Sequence, residues 1–314
     1  MPEEMKLNRP WLVAVWPGMG HVASSAGYYL MAKLGMHLLD DFAAGEFFDV
    51  EHVEVKGGLL QTGRLPRSQF FVWRDLREEH DIIVFIGEAQ PPSGKYAFCR
   101  TLIDYARGLG VERVFTFAAM ATEMHPEQPS RVFGAAIDQE SLTDFQQMDV
   151  EVLEDGQIGG LNGLLLGAAA DSGLRGGCLL GEMPHIFAQL PFPKASLAVL
   201  EAFTKMAGIE IDFGELSEQA MAMEEKLVQL LAQVERAMEQ EQQPEEEAFG
   251  EEAFSIEPPE EERLDPEDEQ RIEQLFDQAK NDRSKAYELK RELDRLEIFD
   301  DYEDRFLDLF KTAE

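Results

Sequence analysis

Residues 155–185 read Asp155-Gly156-Gln157-Ile158-Gly159-Gly160-Leu161-Asn162-Gly163-Leu164-Leu165-Leu166-Gly167-Ala168-Ala169-Ala170-Asp171-Ser172-Gly173-Leu174-Arg175-Gly176-Gly177-Cys178-Leu179-Leu180-Gly181-Glu182-Met183-Pro184-His185. A glycine turn feeds an apolar, Ala-rich run, 161–170, whose small residues let a helix lie close on a sheet. The pair Gly176-Gly177 reads as the stop of that helix. Cys178, Leu179 and Leu180 then read as a short buried strand ending at Gly181-Glu182, and a Pro-bearing loop closes at Pro193, a residue suited to the first position of a helix. Helix, strand, loop and helix in that order form half of a parallel α/β layer. Its carboxylate falls at the carboxyl end of a strand, where open α/β sheets place their clefts.

Upstream, residues 11–16 are an apolar run bounded by Pro10 and Pro17, the pattern of a buried first strand. Gly18-Met19-Gly20-His21 turns the chain into a helix over 22–36, with Ala23, Ala26, Gly27 and Leu30 on its close-packing face. The two glycines either make a tight turn or offer free amides to an anion; neither a dinucleotide fingerprint nor a P-loop is present. Strands are expected at 47–55, 69–73, 81–87, 112–117, 131–137 and 148–153, with helices at 94–108 and 139–146. The connection from Gly57-Gly58 to Pro66 separates the first two of these strands, and 118–120 is read as the exit of the fourth. Alternating strands and helices with short connections predict a mixed, largely parallel sheet covered on both faces.

Three motifs in order carry a family resemblance: Gly159-Gly160-Leu161-Asn162-Gly163-Leu164-Leu165, then Leu179-Leu180-Gly181-Glu182-Met183-Pro184, then Pro193-Lys194-Ala195. With their spacing from Pro17-Gly18-Met19-Gly20-His21-Val22, the chain resembles the proteasome assembly chaperone 2 family over residues 10–213. The resemblance implies a three-layer α/β/α, phosphorylase/hydrolase-like domain. It also implies a family whose eukaryotic and archaeal members assist proteasome assembly. Archaeal members that dock on proteasomes end in hydrophobic-Tyr-any residue; this chain reads Phe310-Lys311-Thr312-Ala313-Glu314 there and departs from that pattern.

The net charge of −34 is the outlier of the composition, and from Gly214 onward there are 33 acidic and 12 basic residues. Such self-repulsion favours solubility and argues against nucleic-acid and anionic-membrane partners. No apolar run approaches the roughly 18 residues of a membrane span, and no basic-then-apolar leader opens the sequence, so a cytoplasmic protein is expected. Cys99 and Cys178 lie in separate apolar runs and read as buried reduced thiols.

Beyond the α/β domain, residues 214–239 form an amphipathic helix capped by Ser217, with Ala220, Met223, Leu227, Leu230, Val234 and Met238 at spacings of three and four. Residues 240–263 are too polar and acidic to bury themselves and read as a disordered linker. Residues 264–314 form a small helical segment of three short amphipathic helices, opened by Asp265-Pro266-Glu267. About fifty residues make a small independent core, so docking onto the main domain or a partner is expected.

Glu88 and Glu182 follow Gly87 and Gly181 at two strand exits. Parallel strands bring those exits to one edge, beside Gly18, Gly20, His21, Asn162 and His185. These seven are the candidate ligand-binding residues. Two acids in one cleft serve general acid/base chemistry or bind sugar hydroxyls; alternatively each accepts backbone amides and fixes its loop. No His-x-x-x-His or Cys/His cluster predicts a metal, no cofactor motif occurs, and no nucleophile elbow is present, so the catalytic residues stay unassigned. The sequence thus favours a non-enzymatic scaffold or assembly protein with an unidentified protein partner, self-association being compatible with it. The alternative is a phosphorylase-like enzyme or small-molecule binder at the strand-exit cleft.

Overall fold

The computed structural model describes residues 6–50, 53–77, 79–241, 264–296 and 298–311. Along the chain, β1 (Trp11–Val15) leads through a short turn to α1 (Val22–Lys33) and β2 (His37–Asp41). A hairpin follows, β3 (Val53–Lys56) and β4 (Leu59–Thr62), then β5 (Ser68–Trp73), β6 (Ile82–Gly87), α2 (Lys95–Gly108) and β7 (Arg113–Thr122). Next come β8 (Val132–Ala136), α3 (Gln139–Gln147), β9 (Glu151–Val152), α4 (Gly160–Asp171), β10 (Arg175–Pro184) and α5 (Pro193–Ala207). The long α6 (Gly214–Glu241) precedes α7 (Pro266–Asn281), α8 (Ala286–Arg295) and α9 (Phe299–Asp308).

The main sheet runs β2-β5-β6-β1-β7-β10-β8-β9. Its four central strands, β6, β1, β7 and β10, are parallel, while β5 and β8 flank them antiparallel. All five residues of β1 are buried because helices cover both faces. The period of two sorts its neighbours: Val13, Val15, Val84, Ile86, Phe115, Phe117 and Leu179 face α1 and α5, whereas Leu12, Ala14, Ile83, Phe85, Val114, Cys178 and Leu180 face α2 and α4. Each large side chain among them contributes about 1.5–3 kcal/mol by leaving water. This is the expected α/β/α architecture, with C-terminal helices added. Gly181 lets α5 approach β10: a Cβ there would stand 2.6 Å from the carbonyl oxygen of Ala195.

Several local expectations are corrected. The helix expected to end at Gly176-Gly177 ends at Asp171, where Gly173 takes the left-handed conformation (φ +72°). Gly176 and Gly177 belong to β10, which runs on to Pro184 because β7 pairs with it as far as Thr122. Glu182 therefore lies inside a strand rather than at its exit, and 118–120 is strand as well. The strand expected at 47–55 forms only from Val53: Phe47 and Phe48 pack edge-on against Phe98, and Gly57-Gly58, both at positive φ, close the hairpin instead of opening a long connection. Edge strand β2 was not expected, since the run His37-Leu38-Leu39-Asp40-Asp41 carries its acids at the strand's end. The Asp212 carboxylate accepts from the Gly214 amide at 2.9 Å where α6 begins, and Ser217, expected as its cap, lies within the helix. The helix includes residues 240 and 241; the rest of the expected linker, 242–263, lies outside the described residues, as do 312–314.

Candidate functional site

The parallel order of β6, β1, β7 and β10 brings their carboxyl ends to one edge. After β1, Gly20 adopts φ +60°, and a Cβ there would meet the Met183 sulfur at 2.6 Å. Its amide donates to the Ala188 carbonyl and its carbonyl accepts from the Phe192 amide, both at 2.9 Å. The turn is thus stitched to the loop after β10, and the Gly20 amide is already used. Gly18 is extended and exposed; His21, at φ +53°, stands exposed at the N-cap position of α1 without a side-chain cap bond. Gln90 ties the same turn down, its Nε2 donating to the Pro17 carbonyl at 3.3 Å. Its Oε1 lies beside Gly160 at the start of α4. Asn162 sits half-buried in the first turn of α4, its Oδ1 buried without a hydrogen-bond partner.

Glu182 is almost wholly buried, its side chain 3% exposed. Arg131 grips it in a fork, Nε to Oε2 at 2.7 Å and Nη2 to Oε1 at 2.6 Å, and the Thr122 hydroxyl donates to Oε1 at 2.8 Å. The hydrogen bonds from Arg131 hold the carboxyl below its usual range, Thr122 helping, against the opposing effect of burial. Arg131 also pairs with Glu151 at 3.2 Å and lies over the Phe133 ring. One carboxylate therefore ties β7, β10 and the start of β8 together. Thr122, Met124, Gln128, Pro129, Arg131 and Glu182 all line a shallow cavity here. His185, half-exposed, donates from Nδ1 to the carbonyl of Thr122, one of the lining residues, at 3.1 Å.

Glu88 follows β6, with its side chain 6% exposed. Its Oε2 accepts from Arg64 Nη1 at 2.5 Å and from the Arg67 amide at 2.7 Å, while Oε1 is buried without a partner. Between Glu88 and Glu182 stand β1 and β7, so three strand spacings, roughly 14 Å, separate the two positions across the sheet. The fold brings both acids to one edge and gives each its own arginine. Sequence reasoning missed Arg131, Thr122 and Arg64, because an arginine 51 residues upstream of its carboxylate leaves no mark in local pattern. It also missed the role of Lys194: its Nζ donates to the Pro126 carbonyl at 2.6 Å and pairs with Glu224, anchoring the 123–130 loop to α6.

Among the described residues, no group of three or more His, Cys, Asp or Glu side chains is placed to hold a metal. Cys99 and Cys178 are free and buried, and burial pushes both thiols up to about 12. No helix among the described residues is long and apolar enough to cross a membrane.

A mixed eight-stranded sheet between helical layers is an architecture shared with known proteins. The PAC2 family model matches residues 12–231, and the chain belongs to that family. An uncharacterized protein of Methanocaldococcus jannaschii is 31% identical over 230 residues, covering 73% of this chain and 89% of that one. The crystal structure of Pyrococcus furiosus PbaB, described as an archaeal proteasome activator, superposes with TM-score 0.62 at 26% identity, over 73% of this chain and 96% of that one. A PAC2 family protein from Streptomyces avermitilis gives TM-score 0.59 at 26% identity, over 70% and 95%. Pyrococcus furiosus PbaA, described as an archaeal homolog of proteasome-assembly chaperone, shares the fold at 24% identity, with TM-score 0.56 over 74% and 96%.

Proposed function

We propose that this protein is a non-enzymatic scaffold that binds another protein, in the manner of an assembly chaperone. The observation that carries the reading is the state of Glu182: buried, ionised and saturated by Arg131 and Thr122, it has no free lone pair aimed at a substrate and no proton to give. A general acid or base needs a carboxyl poised near the working pH, whereas this one is held down. The 26% identity to PbaB, described as an archaeal proteasome activator, supports a protein partner. Affinity capture of the native protein followed by quantitative mass spectrometry tests this. A recurring partner at fixed stoichiometry is the expected outcome; repeated recovery of the chain alone counts against it.

A second reading has its own observation. Trp16 Nε1, Glu88 Oε1 and Asn162 Oδ1 are buried polar atoms without partners, beside or near the Gly18–His21 turn. Unpaired buried donors and acceptors are costly unless water or a ligand completes them. A small polar ligand such as a sugar would use Glu88 rather than Glu182. Stabilisation of the wild type by ribose or a nucleoside, lost in Glu88→Gln, would place this reading first.

A further inference from the structure

The helices α7–α9 lie on the layer formed by α1 and against the edge of the sheet. Tyr28 of α1 is packed edge-on by Phe299 and Phe306 at 5.3 and 5.6 Å, and Tyr29 meets Tyr287 at 4.5 Å. Phe71 of β5 meets Phe310 at 6.0 Å, and the Leu38 amide of β2 donates to the Phe310 carbonyl at 2.8 Å, covering that edge. These contacts are apolar or fully paired. A carboxylate cluster, however, runs through their middle.

Glu303 of α9 accepts a hydrogen bond from the Tyr28 hydroxyl. Around it stand Glu88 after β6, Asp300 on its own helix and Arg64 from the loop before β5. Arg64 bridges Glu88 and Asp304, at 2.5 and 3.1 Å, and Arg67 pairs with Asp304 at 2.9 Å and with Asp308 at 3.7 Å. From α8, Lys290 lies over the Tyr28 and Phe299 rings and is engaged by Asp294 at 2.7 Å. The arginines are shared by three α9-side or Glu88 carboxylates, and Glu303 itself forms no ion pair among the described residues.

We propose that α7–α9 form a detachable cover over α1 and the Glu88 edge, latched while Glu303 is protonated and loosened as it ionises. In the docked state a neutral carboxyl keeps the Tyr28 hydrogen bond without like-charge repulsion, whereas a carboxylate is confined beside Glu88 and Asp300. Undocked, the same group meets water and ionises as an ordinary glutamate. Burial, with Glu88 and Asp300 adding to it, pushes the docked Glu303 up to about 7 from 4.5. A group whose docked pKa is raised favours docking fully below its free value. That advantage is lost as pH rises through the docked value, weakening the docking constant by roughly two orders of magnitude. His37 on β2 acts with the opposite sign: burial, with Arg283 and Arg74 nearby, lowers its pKa, so its protonation opposes docking on the acid side. Docking is therefore tightest in mildly acidic solution. Release uncovers Tyr28, Tyr29, Phe71 and the β2 edge, an apolar face with free strand donors suited to a protein partner. The cover lies beyond the residues that the family model matches.

Hydrogen exchange on the intact chain, corrected for the intrinsic pH dependence of exchange, tests the latch without knowledge of any partner. Between about pH 6 and pH 8 the amides of α9 and Leu38 should lose at least roughly tenfold protection in the wild type, while β6 amides do not change. Glu303→Gln keeps an acceptor for Tyr28 and should remove the pH dependence. Tyr28→Phe removes the bond that stabilises the carboxylate, so its loss of protection should move to higher pH. Equal protection of wild-type α9 at both pH values, or the same loss in Glu303→Gln, would overturn the proposal. So would an unmoved midpoint in Tyr28→Phe. Because no partner enters the measurement, its failure leaves the scaffold reading untouched.

Discussion

Arg131 holds Glu182 through two nearly parallel hydrogen bonds, Nε to Oε2 at 2.7 Å and Nη2 to Oε1 at 2.6 Å, across 51 residues of sequence. Fork-to-fork pairing of this kind is both strong and geometrically selective. It converts the acid that sequence reading singles out for chemistry into a brace between strands.

Arg131→Met should leave the Glu182 carboxylate buried with only Thr122 as a donor side chain. A loss of about 2–3 kcal/mol is expected, discounted from a fully buried pair because Arg131 is half-exposed. Chemical denaturation with an unchanged m-value checks it; Arg131→Lys, lacking the fork, should recover less than half of the loss.

The same pair sets an acid limb of stability. The folded-state pKa of Glu182 is depressed, chiefly by its hydrogen bonds from Arg131. Its contribution is complete above the ordinary carboxylate range and disappears as pH falls through the depressed value. Melting curves between about pH 3 and pH 6 should therefore show a smaller acid loss in Glu182→Gln than in the wild type.

Gly181→Ala puts a methyl 2.6 Å from the Ala195 carbonyl oxygen, where α5 crosses β10. Backbone rather than a flexible side chain must move, so a cost of about 1–3 kcal/mol is expected. An unchanged melting temperature would mean that α5 is not seated as closely as described.

Phe306 is fully buried among Tyr28, Phe299 and Phe310. Phe306→Ala should weaken the docking of the C-terminal helices by about 3–5 kcal/mol. Hydrogen exchange should then show lost protection in α7–α9 with β1 and β6 intact. Loss spread evenly over the chain would show instead that the helices and the sheet unfold as one.

What the sequence disclosed follows physical range. Buried central strands are legible because residues 82–87 and 11–15 need no partner to announce themselves: both faces are covered, so every position is apolar. Local signals fail where two elements share the decision. β10 continues past Glu182 only because β7 runs beside it to Thr122, and the 47–55 segment breaks because Phe98 captures Phe47 and Phe48. Residue types at the sheet edge were readable, but their state was not. Glu182 and Glu88 look alike in sequence, each following a glycine, and neither local stretch discloses that Arg131 and Arg64 arrive from elsewhere to pair with them.

Thermal melting of Glu182→Gln, alone and with phosphate, ribose or adenosine, tests the braced-edge account most directly. The account predicts a melting temperature lower by several degrees, since ~1 kcal/mol moves a domain of this size by about 2–4 °C and charge-assisted buried bonds are worth ~1.5–3 kcal/mol. It also predicts no ligand shift that the wild type shows and the variant lacks. A Glu182→Gln protein as stable as the wild type, but no longer stabilised by a ligand that stabilises the wild type, would contradict it.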